Sequence, residues 1–200
     1  MNTQPEHVLE FWFGSGASNA EIAARQGSLW FGKSPENDRK VADRFADTLI
    51  AARAGQLDHW AKTPHGRLAL IIVFDQFPHH IHRDEALAFA TDPQALGLAL
   101  DALAAGEDRR LTLIERVFLY LPLEHAESLA LQEQSVALYD ALHREAAPDE
   151  RELFASFLDY ARRHRDVVAH FGRFPHRNAI LGRASTPGEI EFLKQPGARF

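Results

Sequence analysis

Four dipeptides mark candidate helix starts, because each has a helix-capping residue directly before a proline: Ser34-Pro35, Thr63-Pro64, Asp92-Pro93 and Thr186-Pro187. A capping side chain bonds free N–H groups of a first helical turn, and proline is tolerated there because its missing N–H would have no partner. Capping boxes, in which Ser or Thr stands three residues before Glu, begin at Ser18, Thr112 and Thr186. The hairpin dipeptides Asn-Gly and Asp-Gly do not occur. These helix-start signals, together with the lack of hairpin signals, predict an all-α fold.

Apolar residues recur at helical spacing between these capping and proline positions. The predicted helices, about nine to ten in number, cover residues 5–13, 19–31, 35–54, 64–77, 84–90, 93–105, 113–121, 124–146, 149–171 and 187–194. Helix 64–77 is apolar on every side, so it is predicted to be the central buried helix. The linkers are short, which favours antiparallel neighbours. No composition shift divides the chain, and residues 1–200 are predicted to form a single all-helical domain.

The composition narrows the class of function. The chain has 200 residues, 46% of them hydrophobic, and a formal net charge of −6, which argues against nucleic acid as a partner. The longest apolar run, residues 68–74, is too short to span a membrane, and the N-terminal residues lack the pattern of a signal peptide. A cytoplasmic location is therefore expected. Because the chain has no cysteine, disulfides and thiolate catalysis are excluded.

One pattern, Phe-x-x-Phe-Pro-His, occurs twice. We call residues 74–83 (FDQFPHHIHR) the first box and residues 171–183 (FGRFPHRNAILGR) the second box. In each box two phenylalanines stand three apart, the spacing of one helical face, and the following proline is predicted to end the helix. Polar groups would then project from a fixed aromatic base.

The polar residues of the boxes are the candidate ligand-binding groups. Arginine binds carboxylate or phosphate through two parallel N–H groups, and histidine adds a titratable donor. The candidates are Arg83 and His79 of the first box, Arg173, His176, Arg177, Asn178 and Arg183 of the second box, and Arg116, which is expected nearby. The alternative is that these groups cap helix ends and are structural.

Asp75 and Gln76 are polar residues in the otherwise apolar helix 64–77. A buried carboxylate needs a partner, because an unpaired charge in the interior is costly. If the two boxes approach each other, Arg173 or Arg177 is the predicted partner, and Asp75 is then an internal tie. Alternatively, a desolvated Asp75 in a cleft could act as a base.

The stretch LPLEHAES, residues 121–128, holds a third set of candidates. Pro122 is predicted to break one helix, and Glu124 and His125 to open the next, where the helix dipole favours acidic groups. A catalytic alternative makes His125 a general base, oriented by Glu124 or Asp75.

The eleven histidines raise the question of a metal site, most of all at His79 and His82. No His-Glu-x-x-His pattern is present, and two histidines three apart are too few ligands, so no metal or other cofactor is expected. His164 lies on the apolar stripe of helix 149–171 and is predicted to be a hydrogen-bonded core histidine.

Seven blocks together resemble the bacterial domain of unknown function 924 family; they lie at residues 8–14, 30–32, 75–78, 118–128, 131–139, 171–186 and 189–193. The resemblance implies a tetratricopeptide-like fold, an antiparallel helix-pair stack wound into a right-handed superhelix. It implies no activity, substrate or catalytic residue. The family's first box usually reads Phe-Pro-Arg-Asn, whereas His79 and His80 stand here. A titratable cation in place of a permanent one predicts weaker anion binding, or binding that improves at low pH.

Three functional hypotheses follow. The leading one is a helical-repeat protein that binds an anionic small molecule or a peptide carboxylate in a cleft lined by the two boxes. The second is a hydrolase-type enzyme that uses His125 with Glu124 or Asp75. The third is a protein–protein interaction scaffold in which the boxes are purely structural. The sequence leaves the oligomeric state open.

Overall fold

The computed structural model describes residues 3–15 and 18–198, and within these ranges the chain is helical and contains no strand. The α-helices are α1 (Pro5–Phe13), α2 (Asn19–Phe31), α3 (Pro35–Arg53), α4 (Pro64–Ile71), α5 (Phe77–Ile81), α6 (Asp92–Ala104), α7 (Leu113–Glu124), α8 (Leu129–Glu145), α9 (Arg151–Phe171) and α10 (Pro187–Phe192). Short 3-10 turns occur at Asp58–Lys62, Ala86–Phe89, Glu107–Arg110 and Pro175–Arg177. The predicted all-α fold class is confirmed, while the superhelical winding stays a prediction.

The predicted central helix does lie at the centre of the core. Every residue from 68 to 78 is buried, and α4 packs against α1, α6 and α7. Burial of such a helix stabilises the fold because each large apolar side chain removed from water contributes about 1.5–3 kcal/mol. The surrounding helices hold this segment in place, including the polar pair Asp75 and Gln76.

The first box does not end its helix at Pro78. Ile72–Gln76 forms a π turn between α4 and α5, in which the Phe77 N–H donates to the Ile72 carbonyl five residues back. Pro78 cannot donate to the Phe74 carbonyl, and that oxygen accepts the Thr91 hydroxyl at 2.6 Å instead. The predicted stop at residue 77 is therefore wrong, because the π turn and Thr91 replace the hydrogen bond that proline removes.

Pro122 does not break its helix either. α7 continues through Pro122 to Glu124, and α8 begins only at Leu129, after the N-cap residue Ser128. Residues 116–124 are all buried, and this packing outweighs a proline penalty of about 3 kcal/mol. Glu124 therefore lies at a helix C-terminus and His125 is the C-cap, contrary to the prediction that they open the next helix.

The second box follows the end of α9, and Gly172 rather than Pro175 provides the stop. Gly172 has φ 70°, the left-handed conformation that glycine adopts without strain. Phe174 is then extended, with φ −92° and ψ 105°. The prediction that both phenylalanines of this box share one helical face is therefore wrong. Phe174 is fully buried, and it packs with Val167 and Val168 in a small second apolar cluster.

Asp92 was predicted as a helix cap, but the structure gives it another position. α6 begins at Asp92 itself, and its N-cap residue is Thr91, whose side chain makes no capping bond. The Asp92 carboxylate points to Arg177 of the second box instead. The other capping residues behave as predicted: Ser18, Ser34, Thr63 and Thr186 each accept a backbone N–H of their first turn.

Candidate functional site

Six planar side chains, drawn from both boxes and from three other elements, form a closed circuit of contacts that we call the six-residue circuit. It runs from His79 to Phe89 (5.3 Å between ring centroids), to Arg177 (4.7 Å from centroid to guanidinium carbon), to Phe174 (4.6 Å), to His164 (5.6 Å), to His125 (6.3 Å) and back to His79 (5.7 Å). The two boxes therefore do approach each other, as the leading hypothesis requires.

Asp75 holds His125 in this circuit. The His125 Nδ1 atom donates to the Asp75 Oδ1 atom at 2.8 Å, and Gln76 Nε2 donates to Oδ2 at 2.5 Å. Asp75 is fully buried. The π turn places this carboxylate inside the core, and single π turns are frequent at functional sites. The predicted partners of Asp75, Arg173 and Arg177, are wrong, since its direct partners are His125 and Gln76.

The Asp75–His125 contact is an ion pair. Burial by itself raises the pKa of Asp75, but the charge and hydrogen bond of His125 outweigh burial and bring the pKa below its usual value. Burial likewise lowers the pKa of His125, yet Asp75 outweighs it and the net pKa is raised. Each partner therefore favours the charged form of the other, and the Nδ1 atom of His125 is committed to Asp75. The His125 side chain is 17% exposed.

Glu124 pairs with His164 rather than with His125. The Glu124 Oε1 atom lies 3.1 Å from His164 Nδ1, which donates to the Tyr160 carbonyl at 2.9 Å. Burial raises the pKa of Glu124 to about 8, and burial lowers that of His164 to about 3. This pair is therefore neutral near pH 7. His164 is the hydrogen-bonded core histidine that the sequence predicted, and Asp75 rather than Glu124 orients His125.

Arg177 is the least satisfied cation of the second box. Its guanidinium lies over the rings of Phe89 and Phe174 and makes one hydrogen bond, from Nη1 to Asp92 Oδ2 at 3.3 Å. Its side chain is 8% exposed. Among the described residues, the buried atoms Arg177 Nε and Asp92 Oδ1 have no hydrogen-bond partner. A buried donor without a partner costs about 1–3 kcal/mol, so this corner is suited to receiving a ligand or water.

The other cations of the second box are saturated. Arg173 binds both carboxylate oxygens of Glu189, at 2.6 and 2.8 Å, and the Ala184 carbonyl. Arg183 binds both oxygens of Glu127, at 2.6 and 2.9 Å. Asn178 accepts from Arg183 and donates to Ser185, each at 3.0 Å. These bonds brace the second box, and an anion bound at Arg173 or Arg183 would have to compete with a bidentate carboxylate.

The remaining candidates lie outside the centre of the circuit. Arg83 binds both oxygens of Asp38 at 2.6 Å, and His80 donates to the same carboxylate at 2.9 Å, which ties the first box to α3. Arg116 binds the Tyr120 hydroxyl and Glu145, so the expectation that it lies beside the boxes is not supported by its contacts. His176 is half-buried, with its ring 5.7 Å from that of Phe174.

His79 is not the titratable cation that the sequence predicted. Burial lowers its pKa to about 3, so the imidazole is neutral at physiological pH. Its Nε2 atom is buried and has no partner among the described residues. The prediction that this position gains an anion-binding charge at mildly low pH is therefore wrong, because the core disfavours the charged form.

Two members of the site were missed by sequence reasoning, Phe89 and Asp92. Phe89 belongs to a short turn with no motif of its own, and Asp92 carried the stronger signal of a capping residue before proline. In residues 3–15 and 18–198, no three His, Asp or Glu side chains converge in a way that could hold a metal ion. No helix in that same part of the chain is long and apolar enough to cross a membrane.

Comparison with known proteins gives a family but no activity. A solved structure of a protein of unknown function from Agrobacterium tumefaciens is similar to this chain, with a TM-score of 0.75 and 36% identity, covering 90% of this chain and 100% of the other. Among curated proteins, none matches. The family described as "Bacterial protein of unknown function (DUF924)" matches residues 8–197. Since the match spans nearly the whole chain, the protein belongs to the bacterial DUF924 family.

Proposed function

We propose that this protein binds a small anionic molecule at the Arg177 corner of the six-residue circuit. The observation that carries the proposal is the state of the Arg177 guanidinium, which is nine-tenths buried, covered by two aromatic rings and held by one long hydrogen bond. A cation in this environment interacts strongly with an anion, because little water remains to screen it. The unpartnered Nε atom provides a donor for that anion.

His125 lies in the same circuit, and Asp75 favours its protonated, positively charged form by raising its pKa. Its Nδ1 atom is committed to Asp75, so Nε2 is the ring atom available to a ligand, and it donates a hydrogen bond when the ring is protonated. His79, whose ring lies 5.7 Å from that of His125, contributes an uncharged imidazole with a free Nε2 atom. The proposed contacts are therefore Arg177, His125 and His79. Arg173, Arg183 and Asn178 would support the site by holding the second box in place.

Thermal unfolding in the presence of anions tests the proposal. A ligand that binds only the native state stabilises it, by about 2.7 kcal/mol at one hundred times its Kd. We expect at least one member of a panel of carboxylates, phosphate and phosphomonoesters, compared at fixed ionic strength, to raise the Tm of the wild type. Arg177→Lys keeps the charge but loses the paired N–H groups, so it should reduce this rise.

Arg116→Lys is the matched control, because Arg116 is also largely buried and lies outside the circuit. It should respond to anions as the wild type does. A panel that stabilises neither protein, or an equal response in Arg177→Lys and wild type, would show that Arg177 binds no anion. The scaffold hypothesis, in which the boxes are structural, would then be favoured.

Acid–base catalysis is a second candidate, favoured by the 2.8 Å bond between His125 and a fully buried carboxylate. A buried carboxylate fixes the tautomer and orientation of a catalytic imidazole. Because Asp75 raises the pKa of His125 and favours the protonated ring, His125 would act as a proton donor to a leaving group. Hydrolysis of chromogenic acetyl and phosphate esters by wild type and His125→Asn checks this role. His65→Asn, at an exposed histidine, is the control. Equal rates in all three proteins would contradict a catalytic role for His125.

A further inference from the structure

The surroundings of Arg177 also restrict which anion it can receive, an inference that rests on the proposed function. Phe89 and Phe174 cover the guanidinium with their ring faces, at 4.7 and 4.6 Å from its carbon. Since the rings cover the guanidinium, further hydrogen bonds to it form at its edges. One edge is in use, because Nη1 binds Asp92. The other edge, formed by Nε and Nη2, has two parallel N–H groups whose spacing matches the two oxygens of a carboxylate.

The contact of Asp92 with Arg177 shows that a carboxylate fits this corner. The same contact is weak. The Asp92 carboxylate reaches the guanidinium with one oxygen at 3.3 Å, while its second oxygen is buried without a partner. By contrast, the carboxylates of Glu189 and Glu127 reach Arg173 and Arg183 with both oxygens. Asp92 is therefore a weak occupant that a better placed carboxylate could displace.

The charges around Asp92 make its release feasible. Burial, together with the nearby carboxylates Asp75 and Glu127, raises the pKa of Asp92 to about 6, although Arg177 and His125 lower it. Loss of the contact with Arg177 removes one of the two groups that favour its charged form. A displaced Asp92 would then take up a proton from solvent instead of remaining as a buried anion.

We infer that the ligand of this site carries a carboxylate group, which binds the Nε–Nη2 edge of Arg177 and takes over from Asp92 as the charge partner of the guanidinium, while Asp92 takes up one proton from solvent. A planar carboxylate can lie in the plane of the guanidinium, beside the two rings that cover it. A phosphate group is tetrahedral, and it carries more charge to be desolvated at the same edge. Carboxylates should therefore bind more tightly than phosphate of similar size.

The variant Asp92→Asn tests the exchange, because it removes the competing charge and preserves the shape of the side chain. With acetate and benzoate as probes, we expect the apparent Kd measured by calorimetry to fall about tenfold in Asp92→Asn, as loss of a charge-assisted bond to the competitor implies. Glu145→Gln is the control, since it removes a carboxylate from the largely buried Arg116 away from the circuit. It should leave both Kd values unchanged.

Proton uptake provides a second measurement that does not need the variant. Wild-type binding of benzoate at pH 7, measured in two buffers with different ionisation enthalpies, should show uptake of up to one proton, and affinity should rise from pH 8 to pH 5.5. If phosphate binds as tightly as benzoate, or benzoate binds without proton uptake, the inference of a carboxylate ligand that replaces Asp92 is wrong. The proposed function, binding of an anion at Arg177, would still hold. If no anion binds, the proposed function itself fails.

Discussion

The two boxes share the letters Phe-x-x-Phe-Pro-His but differ in almost every structural respect. In the first box the helix continues through Pro78, and a π turn directs Asp75 into the core. In the second box α9 has already ended at Gly172, and Phe174 enters the small second apolar cluster from an extended segment. A short aromatic motif therefore specifies burial of an anchor, while the neighbouring elements determine the backbone around it.

The two boxes also differ in the charged groups that they bring to the site. The first box contributes a carboxylate, buried and bound to His125 and Gln76. The second box contributes cations, of which Arg173 and Arg183 are saturated at the surface and Arg177 is buried and under-coordinated. This contrast separates groups that hold the fold from groups that could act on a ligand.

The largest effect is expected from breaking the buried pair of the first box. Asp75→Ala leaves His125 without its partner, and removal of one member of a buried ion pair costs about 3–5 kcal/mol of unfolding free energy. Urea denaturation at pH 7 measures this loss. Asp166→Ala, at an exposed residue, should change the free energy by less than about 0.5 kcal/mol. A loss at Asp75 as small as that of Asp166 would mean that the pair does not stabilise the core.

An intermediate effect is expected from the brace of the second box. Arg183→Met removes two charge-assisted bonds to Glu127, but solvent reaches both side chains, so we expect a loss of about 1–2 kcal/mol. Arg165→Met, whose partner Asp166 is exposed, is the matched control and should cost less than about 0.5 kcal/mol. A double-mutant cycle with Glu127→Gln would show whether the two side chains are coupled.

A smaller effect is expected where the two helices differ in how they end. Gly172→Ala puts a Cβ atom on a residue with φ 70°, which costs about 1 kcal/mol. The corresponding change in the first box is Pro78→Ala, and it should cost less than about 0.5 kcal/mol, because the helix already continues through this position and Thr91 binds the free Phe74 carbonyl. Equal costs at both positions would show that the boxes end their helices alike.

The smallest effect is expected from titration of the Asp75–His125 pair. The raised pKa of His125 means that its contribution to stability is complete below its unfolded value, about 6.5, and is lost as pH rises through the folded value. The lowered pKa of Asp75 means that its contribution is present above about 3.9 and is lost as pH falls through the folded value. The difference in unfolding free energy between wild type and His125→Asn should therefore be largest between about pH 4 and 6.5. A difference independent of pH would contradict the ion pair.

Local chemistry was sufficient to predict the helices and most of their ends from the sequence. Capping residues before prolines located the starts of α3, α4 and α10, and the apolar pattern identified the central helix. These signals depend on groups within one or two turns of each other, so a single chain contains them. The same signals failed at Pro78 and Pro122, where packing against other helices outweighs a local penalty.

The sequence by itself determined that this protein is helical, that helix 64–77 is central and buried, and that the boxes insert aromatic anchors. Only the tertiary structure decided which polar groups meet. Asp75 and His125 are 50 residues apart, and Asp92 and Arg177 are 85 apart. Whether such residues come into contact depends on how the helices pack, and so do the burial that makes His79 neutral and the rings that cover Arg177. A pairing that arises from the packing of distant helices has no signature in the local pattern of either partner.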